Sequence, residues 1–220
     1  SNANYAWILN MVSKLSSNGV AGFILANGAL SADGTEGEIR RKMIERGLVE
    51  AIVILPRNLF YSTDISVTLW ILNANKKARI VHRNGEEIHY RDREKEILFI
   101  DMRQMGEPFE KKYVRFTDED ICKVADAYHN WQREGHTETY TDIPEFCKSV
   151  SVGEDGGIAD KGFSLVPSKY IEFVNRDESV DYDIRMKELQ LELADILRQE
   201  AKSRESVLNV FKSLGYEIEL

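Results

Sequence analysis

The sequence predicts an α/β fold, and three observations carry that prediction. Residues 20–25 (Val-Ala-Gly-Phe-Ile-Leu) and 48–55 (Leu-Val-Glu-Ala-Ile-Val-Ile-Leu) are short apolar runs bounded by Gly19, Asn27-Gly28, Gly47 and Pro56. Runs of that kind read as strands buried on both faces. Between them Ile39, Met43 and Ile44 recur at helical spacing. A third run, residues 65–72, is rich in β-branched and aromatic side chains. Strand, helix and strand joined by a short crossover predict a parallel pair in a doubly wound sheet. Ligands of such sheets sit outside the carboxyl ends of the strands. Two loops leave those ends, residues 26–30 and 55–64, and any substrate contact is expected there.

The remaining elements follow in order. Residues 4–15 place Trp7, Ile8, Met11, Val12 and Leu15 on one helical face, which feeds the first strand through the Ser16-Ser-Asn-Gly19 turn. The crossover helix opens on Thr35-Glu-Gly-Glu38, a capping-box pattern, and Gly47 stops it. Residues 78–90 read as a β-hairpin around Asn84-Gly85, a favoured two-residue turn. Residues 96–101 form another apolar strand, expected at the sheet edge, with Asp101 as a turn former. Thr117-Asp-Glu-Asp120 caps a second helix with the inner stripe Ile121, Val124, Ala125, Tyr128 and Trp131, ended by Gly135. Residues 140–148 read as a short strand or loop and then a helical turn near Pro144. Residues 153–157 read as a glycine-rich turn, and 163–170 carry few regular signals.

The clearest long helix spans residues 181–214. Asp181 or Asp183 is placed to cap it and Gly215 to stop it. Met186, Leu189, Leu193, Ile196, Val207, Phe211 and Leu214 form one stripe, interrupted by charge near Glu200 and Arg204. At about 1.5 Å per residue it runs some 50 Å, more than a small domain needs for its own core. Two readings stand: the stripe packs on a partner helix, or it folds back on its own sheet.

Composition sets bounds on function. A chain of 220 residues buries one core and a smaller appendage. The net charge of −8 argues against a free-standing nucleic-acid binder, which would show a basic footprint. Basic residues do cluster locally: Arg40, Arg41, Lys42 and Arg46 on the crossover helix, and Lys76, Lys77, Arg79 and Arg83 after the third strand. They are either ordinary solvated faces or a rim that steers an anionic backbone beside the loop at residues 55–64. Cys122 and Cys147 lack partners for a metal site, and the four histidines lack ligand spacing, so no metal is expected. No run reaches a membrane span and no signal peptide is read, so a cytoplasmic chain is expected. Ser1-Asn-Ala3 reads as a tag-cleavage scar, with native sequence from Asn4.

Several pieces occur together in a fixed order. They are Lys14-Leu15 with Asn18-Gly19, Leu25-Ala-Asn-Gly28, Glu36-Gly-Glu-Ile-Arg40, Leu55-Pro-Arg-Asn-Leu-Phe-Tyr61 and Leu69-Trp-Ile-Leu-Asn73. Ile97-Leu-Phe-Ile-Asp101, Thr117-Asp-Glu-Asp-Ile121 and Leu165-Val-Pro-Ser-Lys-Tyr170 follow. In this combination the chain resembles the modification (M) subunit of type I restriction–modification systems, an N6-adenine DNA methyltransferase that uses S-adenosylmethionine. Ala26 stands where that family usually has proline before Asn-Gly. The resemblance implies the C-terminal half of a Rossmann-like methyltransferase sheet plus a C-terminal helical arm. Residues 4–115 would form the partial core with its hairpin insertion, 116–180 a helix and irregular bridge, and 181–220 the arm.

The resemblance also implies what this stretch lacks. Such enzymes grip the adenine amino group with an Asn/Asp-Pro-Pro-aromatic motif. The four prolines here, Pro56, Pro108, Pro144 and Pro167, are nowhere adjacent. The upstream strand, glycine turn and helix that hold S-adenosylmethionine are missing as well. Catalytic residues are therefore expected in the parent protein and none in this chain, which should bind no cofactor and methylate nothing alone. Phe60 matches the aromatic that stacks on a flipped adenine, with Tyr61 as its second; the competing reading is that both rings fill core. Asn27, Gly28 and Asn58 would shape the loops at the active-site edge. Arg40, Arg41, Lys42, Lys76 and Lys77 are the candidate contacts to DNA backbone.

In the family the C-terminal region meets the specificity (S) subunit. Leu189, Leu193, Ile196, Val207 and Phe211 are thus expected to dock there, with DNA reached through the assembled complex and the restriction subunit only indirectly. The family's catalytic strand lies beside the strand at residues 20–25, so a bare apolar edge is expected on it. The alternative function is a non-catalytic interaction module that binds the specificity subunit.

Overall fold

The structure, a computed structural model, describes residues 3–153, 155–174 and 182–216. Its elements in order are α1 (Asn4–Lys14), β1 (Val20–Ala26), α2 (Gly34–Glu45), β2 (Val49–Ile54), β3 (Val67–Asn73), β4 (Arg79–Arg83) and β5 (Glu86–Tyr90). Then come β6 (Glu96–Asp101), β7 (Glu107–Phe109), β8 (Tyr113–Arg115), α3 (Asp118–Gln132), α4 (His136–Thr139), β9 (Cys147–Ser151) and α5 (Tyr182–Ser213). The chain divides into two units, Ser1–Phe173 and Val174–Leu220.

A five-stranded mixed sheet in the order β1-β3-β2-β6-β9 organises the first unit. β1 and β2 are not neighbours, contrary to the expected parallel pair. β3 lies between them, antiparallel to both. The connection after β2 reverses the chain: the Leu55 amide donates to the Val67 carbonyl at 2.9 Å, closing a long hairpin. β1 and β2 still run the same way, and β6 pairs with β2 in parallel. Three strands therefore share one carboxyl edge. β6 is interior, not at the edge where the sequence put it, because β9 pairs antiparallel on its far side.

β1 is the opposite border of the sheet. Its residues alternate exposed and half-buried, so it is not the doubly buried strand its apolar run suggested. Val20 and Ile24 remain 55% and 46% exposed, which is the bare apolar edge expected there.

Helices cover both faces of the central strands. On one face Tyr5 and Ile8 of α1 and Met43 and Ile44 of α2 pack with Ile52, Trp70, Leu72 and Phe99. Trp70 takes Phe23 as a stacked neighbour at 6.2 Å and Tyr5 edge-on at 6.4 Å. On the other, Trp131 of α3 packs with Ala51, Val53, Leu98, Ile100 and Phe146. Two covered faces explain why all six residues of β2 are buried and why it reads as one apolar run.

The helix ends show how local signals fared. α2 starts with Asp33 as its cap and no side-chain cap bond, so Thr35 sits inside the first turn and makes no capping box. Its end is a Schellman motif: Gly47 N–H donates to Ile44 O at 2.9 Å and Leu48 N–H to Met43 O at 3.0 Å. α3 has the expected box. Thr117 Oγ1 accepts from Asp120 N–H at 3.1 Å, and the Asp120 carboxylate accepts from Thr117 N–H at 2.9 Å. These bonds hold the Asp120 carboxyl below the usual range. The inward stripe of α3 is the half-buried Val124, Ala127 and Tyr128 with the buried Trp131, while Ile121 in its first turn is exposed. The helix ends at Gln132, and Gly135 instead opens α4. The β4–β5 hairpin turns at Asn84 and Gly85 with φ of 53° and 84°, as the sequence indicated.

The second unit is described by α5, 32 residues long. It ends in a Schellman motif, with Gly215 N–H on Lys212 O at 3.1 Å and Tyr216 N–H on Phe211 O at 3.0 Å. Glu200 and Arg204 form an ion pair at 3.1 Å where the apolar stripe breaks. A cap at Asp181, like the side chain of Asp183, lies outside the described residues. No helix among the described residues is long and apolar enough to cross a membrane.

Candidate functional site at the carboxyl edge

β1, β2 and β6 end at Ala26, Ile54 and Asp101 on the same border of the sheet, and three connections leave it there. The first is a single 3-10 turn, Asn27–Leu30. Asn27 Oδ1 accepts from Thr68 Oγ1 on β3 at 2.5 Å, which ties the turn to the neighbouring strand. Tyr5 Oη donates to Ala29 O at 2.7 Å and seats the same turn on α1. Gly28 is exposed, with open space around it.

The second connection, residues 55–66, carries the aromatic pair. Ser66 Oγ donates to Leu55 O at 2.5 Å and pinches its base. Asn58 takes φ of 60°, a conformation asparagine tolerates better than most residues, and its carbonyl accepts from Val114 N–H at 3.1 Å. Phe60 is half-buried against the apolar cluster of Val53, Val67 and Ile100. Tyr61 is 69% exposed. Its ring meets Tyr113 edge-on at 4.7 Å, and its hydroxyl donates to Glu110 at 3.4 Å.

The third connection holds the β7–β8 hairpin, which the sequence reading did not find. Pro108 lies within β7 and hides the alternating pattern. Asp101 does form a turn: its Oδ1 accepts from Arg103 N–H at 2.9 Å, and its carboxylate pairs with the Arg103 guanidinium at 2.6 Å. That pairing holds the Arg103 guanidinium charge above its ordinary pKa range. Between the second and third connections lies a groove of about 690 Å³, lined by Arg57, Asn58, Arg103, Met105, Lys111 and Tyr113 among others.

Of the candidate DNA-backbone residues, the structure buries two, Arg40 and Lys76. Arg40 is buried and used internally: Nε donates to Phe163 O at 2.8 Å and Nη1 to Ala32 O at 2.7 Å. Lys76 is buried too, its Nζ donating to Val49 O at 2.8 Å and Glu96 O at 2.6 Å. Burial lowers its pKa to about 8. Because β3 runs antiparallel, residues 76 and 77 lie beyond its far end, at the border opposite the Phe60 loop. Lys77 there faces Glu94 at 3.9 Å. Arg41 pairs with Glu45 at 2.7 Å and covers the Phe163 ring at 5.1 Å. Lys42 is simply exposed on α2.

Sequence reasoning also missed a buried polar centre at that opposite border. Glu50 Oε1 accepts from Arg93 Nη2 at 3.0 Å and Gln132 Nε2 at 3.0 Å. Its Oε2 accepts from Asn73 Nδ2 at 2.7 Å and Tyr128 Oη at 3.0 Å. The signal was present: a lone charge inside an eight-residue apolar run must have a buried partner. Nothing in the charged stretch around Arg93 marked the partner.

A family description, N-6 DNA Methylase, matches residues 1–179. The chain belongs to that family. It is 36% identical over 218 residues to the methylase subunit of the type I restriction enzyme HindI from Haemophilus influenzae. It is 33% identical over 215 residues to the methylase subunit of the type I enzyme MjaIX from Methanocaldococcus jannaschii. Each comparison takes in 98% of this chain but only 44% and 36% of those relatives, so the chain spans less than half their length. The type I restriction-modification methyltransferase subunit of Streptococcus thermophilus superposes with a TM-score of 0.62 at 26% identity, over 79% of this chain and 31% of that one.

An N6 methylase implies S-adenosylmethionine as methyl donor, and the glycine-rich turn after β9 is the one glycine cluster that could be tested against it. The glycine cluster after β9 is closed on its own backbone: a Cβ on Gly157 would lie 2.2 Å from Gly153 O and 2.6 Å from Ser151 O. Glycine is required there for the turn itself, which leaves no cradle for a ligand.

Proposed function

We propose that this chain is the carboxyl-terminal part of a type I modification subunit. The parent protein transfers a methyl group from S-adenosylmethionine to adenine N6 in DNA, in the cytoplasm. This chain supplies the target-base side of the catalytic cleft and the arm that meets the specificity subunit, and DNA reaches it through that assembly. Family membership together with one placement carries the reading: the Leu55-Pro-Arg-Asn-Leu-Phe-Tyr61 stretch leaves the carboxyl end of β2, where α/β sheets receive ligands.

An adenine in duplex DNA must leave the stack before its amino group can react. Phe60 is suited to receive it. A ring already half-buried against the core cluster loses little freedom when a base stacks on it. Tyr61, exposed and edge-on to Tyr113, is the second candidate. Asn27, Gly28 and Asn58 hold the loops around them.

The test uses the full-length modification subunit assembled with its specificity subunit. Stacking contributes about 1–3 kcal/mol per base, so Phe60→Ala is expected to lower kcat/KM for methylation about ten- to hundredfold. A 2-aminopurine at the target should lose its flipped-out fluorescence, and Phe60→Trp should restore both. Normal methylation with a lowered melting temperature would make Phe60 a core residue and shift the role to Tyr61, tested as Tyr61→Ala. The 220-residue chain alone is expected to transfer no methyl group, and turnover by it would overturn the assignment of catalysis to the parent.

A further inference from the structure

We propose that the β7–β8 hairpin and the 55–66 connection form one clamp, in which Arg57 and Lys111 hold phosphates of the DNA strand flanking the target adenine. The proposal rests on the function proposed above and adds a site that neither the family match nor the aromatic pair assigns.

The hairpin is fastened to the aromatic loop at four points. Val114 N–H donates to Asn58 O at 3.1 Å, and Tyr61 Oη reaches Glu110 at 3.4 Å. The Tyr61 and Tyr113 rings meet at 4.7 Å, and Lys112 Nζ pairs with Asp64 at 2.9 Å. Its base is fixed as well. Gly106 has φ of 94°, and a Cβ there would lie 2.6 Å from Val114 Cγ1 and 3.0 Å from Arg115 O. At the tip Glu110 and Lys111 both take positive φ, at 43° and 32°. Non-glycine residues hold such angles only where their surroundings impose them.

Charge sorting identifies the ligand chemistry. Four cations line the groove between loop and hairpin: Arg57, Arg103, Lys111 and Lys112. Two are neutralised, Arg103 by Asp101 at 2.6 Å and Lys112 by Asp64 at 2.9 Å. Among the described residues Arg57 and Lys111 have no such carboxylate partner, and Arg57 Nε meets only the Asp64 carbonyl, at 3.4 Å. Two uncompensated cations on one groove, in a chain of net charge −8, mark a place for anions. Arg57 precedes Phe60 by three residues, at most about 10 Å of backbone, which suits phosphates on either side of a base held at Phe60. A groove of about 690 Å³ is larger than a lone phosphate needs and fits a stretch of backbone.

The experiment measures the salt dependence of duplex binding by the assembled full-length modification and specificity subunits. Each phosphate neutralised contributes about 0.9 to the slope of log K against log salt. Arg57→Gln with Lys111→Gln should make the slope shallower by nearly two units and weaken specific and nonspecific duplexes alike. Both residues are exposed, so the melting temperature should not move. Lys14→Gln with Lys95→Gln, both exposed and outside the groove lining, should leave the slope unchanged. An unchanged slope in the Arg57/Lys111 variant, while Phe60→Ala still abolishes the 2-aminopurine signal, removes the clamp and leaves the functional reading standing. If Phe60→Ala also changes nothing, that reading falls with it. A third result also overturns the clamp: inorganic phosphate protects the wild type but not Arg57→Gln against thermal unfolding, with the DNA slope unchanged, which makes the groove a free-anion site.

Discussion

Glu50→Ala is expected to remove about 3–5 kcal/mol of stability, the usual consequence of breaking a buried ion pair from one side. That is a large part of the roughly 5–15 kcal/mol that holds a domain folded. The side chains of Glu50 and Arg93 are both wholly buried, and one carboxylate accepts from Arg93, Gln132, Asn73 and Tyr128. Those four residues come from β3, α3 and the connection ahead of β6, so the carboxylate joins three parts of the first unit to β2. Removing it leaves a guanidinium buried without a counter-charge and several donors without an acceptor. Glu50→Gln should also be costly, because the amide keeps the shape but not the charge that Arg93 needs. Removing both charges, as in Glu50→Gln with Arg93→Met, should cost less than the two single changes added together, since no lone charge is then stranded. Urea unfolding followed by the fluorescence of the buried Trp70 and Trp131 measures all of these. A loss below about 1 kcal/mol for Glu50→Ala would mean that water reaches the cluster and that the pair does not hold the unit together.

The same cluster shows what the sequence could and could not reveal. Several patterns confined to a few residues were legible: the 48–55 run, the Asn84-Gly85 hairpin, the Thr117–Asp120 box and the long amphipathic helix appear, although the Thr35–Glu38 box does not form. Whatever depends on a distant partner was not. Residues 55–66 are long enough either to cross over or to reverse, and nothing local states that β3 inserts between β1 and β2. Once it does, the cations that follow it move to the far border, and Lys76 is drawn inward by two carbonyls. β1 looked doubly buried because its apolar residues face both ways, yet it is the sheet's border strand. β9 went unread because Cys-Lys-Ser-Val-Ser has little strand character of its own and is held by its register with β6. At the candidate site the loop sequence located the aromatic pair, but not that Phe60 would lie against the core cluster of the sheet while Tyr61 stays exposed beside the neighbouring hairpin. That hairpin was itself masked by Pro108.

Leu193→Glu combined with Phe211→Glu is expected to abolish capture of the specificity subunit by this chain. Leu189, Leu193 and Ile196 form one apolar patch along α5, and Val207 and Phe211 a second, with the Glu200–Arg204 ion pair between them. Leu193 is 56% exposed and Phe211 39% exposed. A repeated apolar stripe on a 32-residue helix is the pattern of a surface made for another helix. Burying one such side chain in an interface contributes about 1.5–3 kcal/mol, and a glutamate in its place also carries an unpaired charge into the contact. Two replacements, one in each patch, should weaken binding more than a hundredfold. Glutamate is a good helix former, so the circular dichroism of the variant should match the wild type. Glu200→Ala with Arg204→Ala should leave capture nearly intact, because an exposed pair of this kind contributes at most about 1 kcal/mol. That contrast separates an apolar contact at two patches from a general effect of charge on the arm. Undiminished capture by the double glutamate variant, with its helix intact, would place the docking surface elsewhere on the chain. It would also remove the main support for an interaction module that binds the specificity subunit without methylating, since that alternative depends on the same stripe.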